Sequence, residues 1–228
     1  MASRERQKSQ SHDVSQFFKS LGGRYKRIRK RCHGKPDPDL YAHKYWCLQE
    51  LERLSEQGLI DLFYGDESRV SSEGYVPYGW QFPGEDIAIP VRKGYAINIF
   101  GLISRTSVCH WTSTQANING QFLVEYLERF CLGIKKTTFL VLDNASMHRS
   151  KAFRERIRAW QARGLYIFFL PPYSPHLNLA ETLWRKLKKE WLNPEDYRDK
   201  ETLFYAVNRC MANVGEYLTI NFCPFNKN

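Results

Sequence analysis

The chain has 228 residues, 43% of them hydrophobic, and six cysteines, enough apolar material for one catalytic-sized domain with a short appendage. No apolar run approaches the roughly 18 residues of a membrane span, and the opening MASRERQKSQSHD lacks the apolar core of a signal peptide. A soluble, cytoplasmic protein is expected. Cys32, Cys47, Cys109, Cys131, Cys210 and Cys223 are scattered without a CxxC pair, which argues against a zinc site or a disulfide framework.

Formal net charge is +10, and it is concentrated: residues 1–35 hold eleven Lys/Arg against Glu5 and Asp13, leaving the remainder nearly neutral. The densest stretch, RYKRIRKRCHGK, carries Arg24, Lys26, Arg27, Arg29, Lys30 and Arg31. Such a run neutralises phosphates and releases counterions on a nucleic acid; as a surface feature it also reads as a solvated tail. His33 beside Cys32 has no partner pair with which to hold a metal.

In chain order, residues 1–39 form a basic, loose arm closed by Pro36 and Pro38, and residues 40–228 form the folded domain. Apolar spacing predicts a helix over 40–57, with Gly58 ending it. A strand over 59–65 follows, with Asp66 just beyond it on the face of Tyr64. The aromatic and Pro/Gly-rich YVPYGWQFPG (75–84) reads as a hairpin or irregular excursion, its Tyr78 and Trp80 either stacking on bases or packing locally. Strands over 94–104 and 107–114 and an amphipathic helix over 119–130 come next. FLVLDNASMHRS (139–150) then ends a buried strand, 137–142, on Asp143. A helix over 149–163, a buried strand from 165 halted by Pro171 and Pro172, a helix over 178–191 and a last helix from 200 complete the chain. Three strands on short turns, then strands alternating with helices, imply a mixed α/β sheet of three antiparallel strands and two parallel additions with helical crossovers. That succession is the ribonuclease H-like fold.

Three acids stand where solvent-facing charge is not the default: Asp66, Asp143 and Glu181. Each has a plain reading, since aspartate favours turns and helix N-caps, and Glu181 lies at capping-box spacing from Asn178. Together they read differently. Glu181 is two residues from both Leu179 and Leu183 and so turns off the apolar stripe of its helix. Three converging carboxylates make the oxygen ligand set of Mg²⁺ or Mn²⁺. Two ions roughly 4 Å apart suit in-line attack on a phosphodiester. Asn144 either orients Asp143 or satisfies the turn, and His148 either positions substrate or caps a helix start. The arginines of 149–163 and Lys186, Lys188 and Lys189 either line a DNA path or face solvent.

YGDES (64–68), GWQFPG (79–84), LVLDNASMH (140–148) and LPPYSPHLNLAETLWRKLK (170–188) together resemble the DDE transposases of the mariner superfamily, in particular the bacterial insertion-sequence branch numbered 630. The likeness spans about residues 40–215, and PPYSPxxNxxE is its most specific part. The resemblance implies that Asp66, Asp143 and Glu181 are the catalytic, metal-binding triad, with two Mg²⁺ or Mn²⁺ ions. It implies cut-and-paste transposition, cleaving at terminal inverted repeats and joining 3′ hydroxyls to target DNA at TA, by a homodimer on DNA in a bacterial nucleoid. Three departures stand out. Some 37 residues separate Asp143 from Glu181, slightly more than is usual, with the excess placed in 149–165. Asn-Leu-Ala-Glu replaces the common Asn-Pro-Ile-Glu, losing a proline favourable to a helix start. Of the usual N-terminal helix-turn-helix only a tail near Tyr25–Arg31 is recognisable, so the reader of the repeats is expected on a separately encoded protein, or the chain is a truncated copy. The rival readings are a non-catalytic DNA-binding remnant and a ribonuclease H-like nuclease acting on RNA or hybrids.

Overall fold

A computed structural model describes residues 34, 36–72, 94–223 and 225, with Gln16 and Ser20. The chain divides into Met1–His33 and Gly34–Asn228, and everything below concerns the second unit. The basic residues Arg24–Arg31, the Cys32-His33 pair and the 75–84 segment with Tyr78 and Trp80 lie outside the described residues.

Helix α1 (Pro38–Glu56) starts where Asp37 accepts a hydrogen bond from Leu40 N at 2.9 Å, with Pro38 preset for the first turn. It leads into β1 (Asp61–Ser71), β2 (Ala96–Ile103) and β3 (Cys109–Thr114). Asn119 caps α2 (Gly120–Cys131), which returns the chain to β4 (Thr138–Leu142). After a 3-10 turn at Ser146–Arg149, Ser150 caps α3 (Lys151–Ala162), which crosses to β5 (Leu165–Phe169). The last helices are α4 (Ala180–Lys186) and α5 (Lys200–Ala212).

The five strands form one sheet in the order β3-β2-β1-β4-β5. β1 runs antiparallel to β2 and parallel to β4, β2 antiparallel to β3, and β4 parallel to β5. This is the mixed ribonuclease H-like architecture expected above, with α2 and α3 as its crossovers.

Two apolar layers sandwich the sheet. On one face Phe63, Leu102, Leu140 and Leu142 meet Leu123 and Leu127 of α2 and Phe153 and Trp160 of α3. On the other, Leu62, Tyr64, Ile97, Ile99 and Val141 meet Leu48 and Leu51 of α1, Leu183 and Trp184 of α4, and Leu203 and Val207 of α5. Each fully buried side chain of this size contributes roughly 1.5–3 kcal/mol by leaving water.

Three expectations change. β1 does not stop at Gly65 but continues to Ser71, so Asp66 lies inside the strand, opposite Gly101 of β2. The ladder persists because β2 supplies partners all the way from Ile103 to Ala96, whatever the polarity of Asp66, Glu67 and Ser68. β5 is, among the described residues, an edge strand, and of its residues Leu165 alone is fully buried. The helix expected over 178–191 begins at Ala180 and gives way to a π-helical turn at Leu187–Trp191. Among the described residues no helix is long and apolar enough to cross a membrane.

Candidate active site

Asp66 projects from the middle of β1 towards α4, and the Trp184 indole N–H donates to its Oδ2 at 3.1 Å. That hydrogen bond depends on a missing side chain. A methyl group at Gly101, the partner of Asp66 across the ladder, would lie 2.8 Å from Trp184 Cη2, so only glycine lets the indole lie across β2. Burial, then the neighbouring carboxylates of Glu67, Glu181 and Asp143, push the Asp66 carboxyl up to about 8.

Asp143 follows the last residue of β4. Its Oδ1 accepts from Ala145 N at 2.9 Å, closing the turn, and lies 2.8 Å from His148 Nδ1. Burial works against ionisation here, but the hydrogen bonds from His148 and Ala145 outweigh it and hold the carboxyl below the usual range. The turn reading of Asp143 and its placement in a cluster of acids therefore hold together. Asn144 turns away: its amide donates to the Leu170 carbonyl, which ties the ends of β4 and β5 together. His148 is fully buried on the 3-10 turn.

Glu181 arrives by way of PPYSPHLN. Pro171 and Pro172 end β5, and Tyr173 takes a left-handed backbone with φ 60°, an uncommon conformation for an aromatic residue. Pro175–Leu177 add a 3-10 turn. Asn178 then does two things: its side-chain N–H donates to the Gly65 carbonyl at 3.0 Å, and its Oδ1 accepts from Ala180 N at 3.1 Å. It both starts α4 and fastens it to β1 one residue before Asp66. The capping-box role of Glu181 is not what forms; its side chain is exposed, turned off the stripe of Leu183 and Leu187. Burial raises its carboxyl, Lys188 lowers it, and Asp143 raises it further, with a net upward shift.

Lys188 sits in the π-helical turn, where burial depresses its pKa against the pull of Glu181 and Asp66. π-turns inside helices recur at functional sites because they re-aim a side chain. Here Glu181, Trp184, Arg185, Lys188 and Lys189 line one open groove. The structure thus brings Asp66, Asp143 and Glu181 into one electrostatically coupled group. Lys188 adds a cation, and His148 holds Asp143.

A family model described as DDE superfamily endonuclease matches residues 61–204, more than half of the chain. The chain belongs to this family. No curated protein sequence matches it significantly. Among solved structures, the Mos1 transposase paired-end complex with left transposon end is similar over 90% of this chain and 71% of that one, with TM-score 0.52 and 18% identity. The catalytic domain of Mos1 mariner transposase shares 14% identity at TM-score 0.41, over 82% of this chain and 98% of that one. A chain of the simian T-cell lymphotropic virus intasome in complex with PP2A regulatory subunit B56 gamma shares 11% identity at TM-score 0.49, over 88% and 57%. At such identities the likeness is one of fold. Mos1 paired-end complexes are known with Mn and with Mg.

In this DDE domain the carboxylates of Asp66, Asp143 and Glu181 offer oxygen donors only, the ligand chemistry that suits a hard divalent cation. Among the described residues no three His, Cys, Asp or Glu side chains already stand close enough to hold an ion. Asp66 is held by Trp184 and Asp143 by His148 instead. Four contributors escaped the sequence reading. Trp184 lies on the apolar stripe of α4 and reads as core, Gly101 as an ordinary strand residue, and Asn178 as a simple cap. Glu67 was overlooked beside Asp66. The one usable signal was the unbroken GDES inside a strand that needed no turn.

Proposed function

We propose that this DDE domain is the catalytic part of a transposase of the 630-type insertion-sequence branch. In this reading it cuts DNA at the ends of its element and transfers the freed 3′ ends into target DNA. The observation that carries the proposal is the nearness of Asp66, Asp143 and Glu181, with Asp66 pushed to about 8 by burial first and then by the carboxylates of Glu67, Glu181 and Asp143. An isolated turn aspartate has no such neighbours. In this reading the three carboxylates are the ligands, and Mg²⁺ or Mn²⁺ held by them supplies activation of the attacking hydroxyl and stabilisation of the leaving oxygen.

The protein's own groups set the stage for that chemistry. Trp184 and the bare backbone of Gly101 fix the rotamer of Asp66, and His148 with Ala145 N fixes Asp143. Asn178 sets the distance of α4 from β1. Lys188 offers a positive charge beside the carboxylates for a phosphate oxygen. Arg24, Lys26, Arg27, Arg29, Lys30 and Arg31 are assigned to the DNA backbone. The fold relationship to the Mos1 paired-end complex supports a DNA partner. A homodimer on paired ends, TA target choice, a separately encoded helix-turn-helix protein and a place at the nucleoid belong to the same proposal.

The decisive variant is Asp143→Asn. On a labelled duplex carrying the sequences that flank the gene, it is expected to lower Mg²⁺-dependent strand cleavage by about 10³-fold or more. Thermal unfolding and filter-bound DNA affinity should stay close to wild type. Undiminished cleavage by this variant rules the assignment out.

A further inference from the structure

Glu67, the neighbour of Asp66, is delivered by strand alternation to the opposite face of the sheet. Asp66 reaches Trp184 on the α4 side, while Glu67 points to the α3 side, where the His148 ring lies tilted against Phe153 at 6.2 Å between ring centroids. Glu67 Oε2 lies 3.8 Å from His148 Nε2. Both atoms are buried, and neither has a hydrogen-bond partner among the described residues. Buried polar atoms of this kind are rarely left alone. The opposite nitrogen of the same ring meets Asp143 Oδ1 at 2.8 Å, so the imidazole lies between two carboxylates.

The two orphaned atoms face each other, and a small approach lets either Oε2–H donate to Nε2 or Nε2–H of a doubly protonated ring donate to Oε2. In both arrangements Nδ1 keeps a hydrogen facing Asp143 Oδ1, and the ring is held from both sides. Ligating carboxylates are themselves oriented by hydrogen bonds from groups that do not touch the metal, and losing such partners weakens metal binding. We infer that Glu67 is a positioning residue: through His148 it locks the carboxylate of Asp143 in the orientation that accepts a divalent cation. The inference rests on the metal-ligand role proposed for Asp143, and it adds a residue on the far face of the sheet that does not itself reach the ion.

The test uses the full-length protein and Mn²⁺ alone, with free Mn²⁺ followed by electron paramagnetic resonance and folding by thermal unfolding. Glu67→Leu keeps the volume and removes the carboxylate that faces Nε2; it is expected to weaken Mn²⁺ binding about tenfold or more, within the range typical for removed outer-shell partners. Glu67→Gln, whose amide can donate to Nε2, should recover most of that loss. In a His148→Asn background, where the amide mimics only the Nδ1 donor, Glu67→Leu should cost nothing further. Should the leucine variant lose its cooperative unfolding transition, the more adaptable Glu67→Met takes its place. Binding by Glu67→Leu within twofold of wild type, while Asp143→Asn binds poorly, overturns the role of Glu67 and leaves that of Asp143 standing. Equal binding by wild type and Asp143→Asn removes the ligand role of Asp143, and the inference with it.

Discussion

Glu52 of α1 lies beneath Tyr64 of β1, and Asp66 stands two positions further along the same face of that strand, yet the protein treats them oppositely. Glu52 is 3% exposed and fully answered. Arg105 reaches both of its oxygens, at 2.8 and 2.5 Å, and the Tyr64 hydroxyl donates to it as well. Arg105 spends a further N–H on the Cys223 carbonyl, so one ion pair pins α1, the turn between β2 and β3, and the C-terminal segment together. Asp66 has an indole and a distant lysine against three other acids. A buried charge with its partner is structure; a group of charges lacking enough partners is held for something that arrives from outside.

The two regions should therefore respond to substitution in opposite senses. Arg105→Met strands Glu52 without its cation and is expected to destabilise the fold by about 3–5 kcal/mol, read as a large fall in the urea midpoint. A loss below about 1 kcal/mol would erase the distinction between the regions. Gly101→Ala drives a methyl group into Trp184 and should cost about 1–3 kcal/mol of overpacking. Its Mg²⁺-dependent cleavage should fall further than that of a variant equally destabilised elsewhere in the core, such as Ile99→Val. Equal falls would mean that Trp184 is only packing.

The smallest effect has the opposite sign. A carboxyl raised to about 8 keeps its proton in the folded state while the unfolded chain releases it near pH 4, so wild-type stability declines as pH rises between those values. Asp66→Asn has no proton to lose. Without divalent ions it should be more stable than wild type by about 1–2 kcal/mol at pH 8, after allowance for the partial exposure of Asp66, and close to wild type at pH 5. Added Mg²⁺ should shrink the gap at pH 8. A difference that does not change with pH would show that the repulsion is not there.

Where periodicity was strong the sequence was informative: of the spaced apolar residues Phe122, Tyr126, Leu127 and Phe130 in α2 and Phe153, Ile157 and Trp160 in α3, Tyr126, Leu127, Phe153 and Trp160 are buried and the others partly so. Strand continuity through Gly65-Asp66-Glu67 was not legible, because a ladder is made by backbone partners on β2 that local polarity does not report. The π-turn at Leu187–Trp191 escaped for a similar reason, since Leu187 and Trp191 keep α-helical spacing while the backbone does not. Asn178 looked like a cap and is one, but its second hydrogen bond, to Gly65, spans 113 positions of sequence. For Asn144 the structure adds a contact that sequence could not show, a hydrogen bond to the Leu170 carbonyl at the end of another strand.

Asp66 and Glu67 are the same kind of side chain on consecutive positions, and the pleat alone sends them to different jobs. Slipping β1 by one residue against its neighbours would exchange the two acids across the sheet, turning the groove-facing carboxylate inward and the inner one outward. It would also carry Gly65 out from between Leu142 and Leu102, where an added methyl group would lie 2.8–2.9 Å from leucine Cδ atoms and force them to move. The glycine thus acts as an alignment key. The same residue that spares room in the apolar layer makes every mis-registered chain both poorly packed and chemically blank, so quality control of the fold and of the site is vested in a single position.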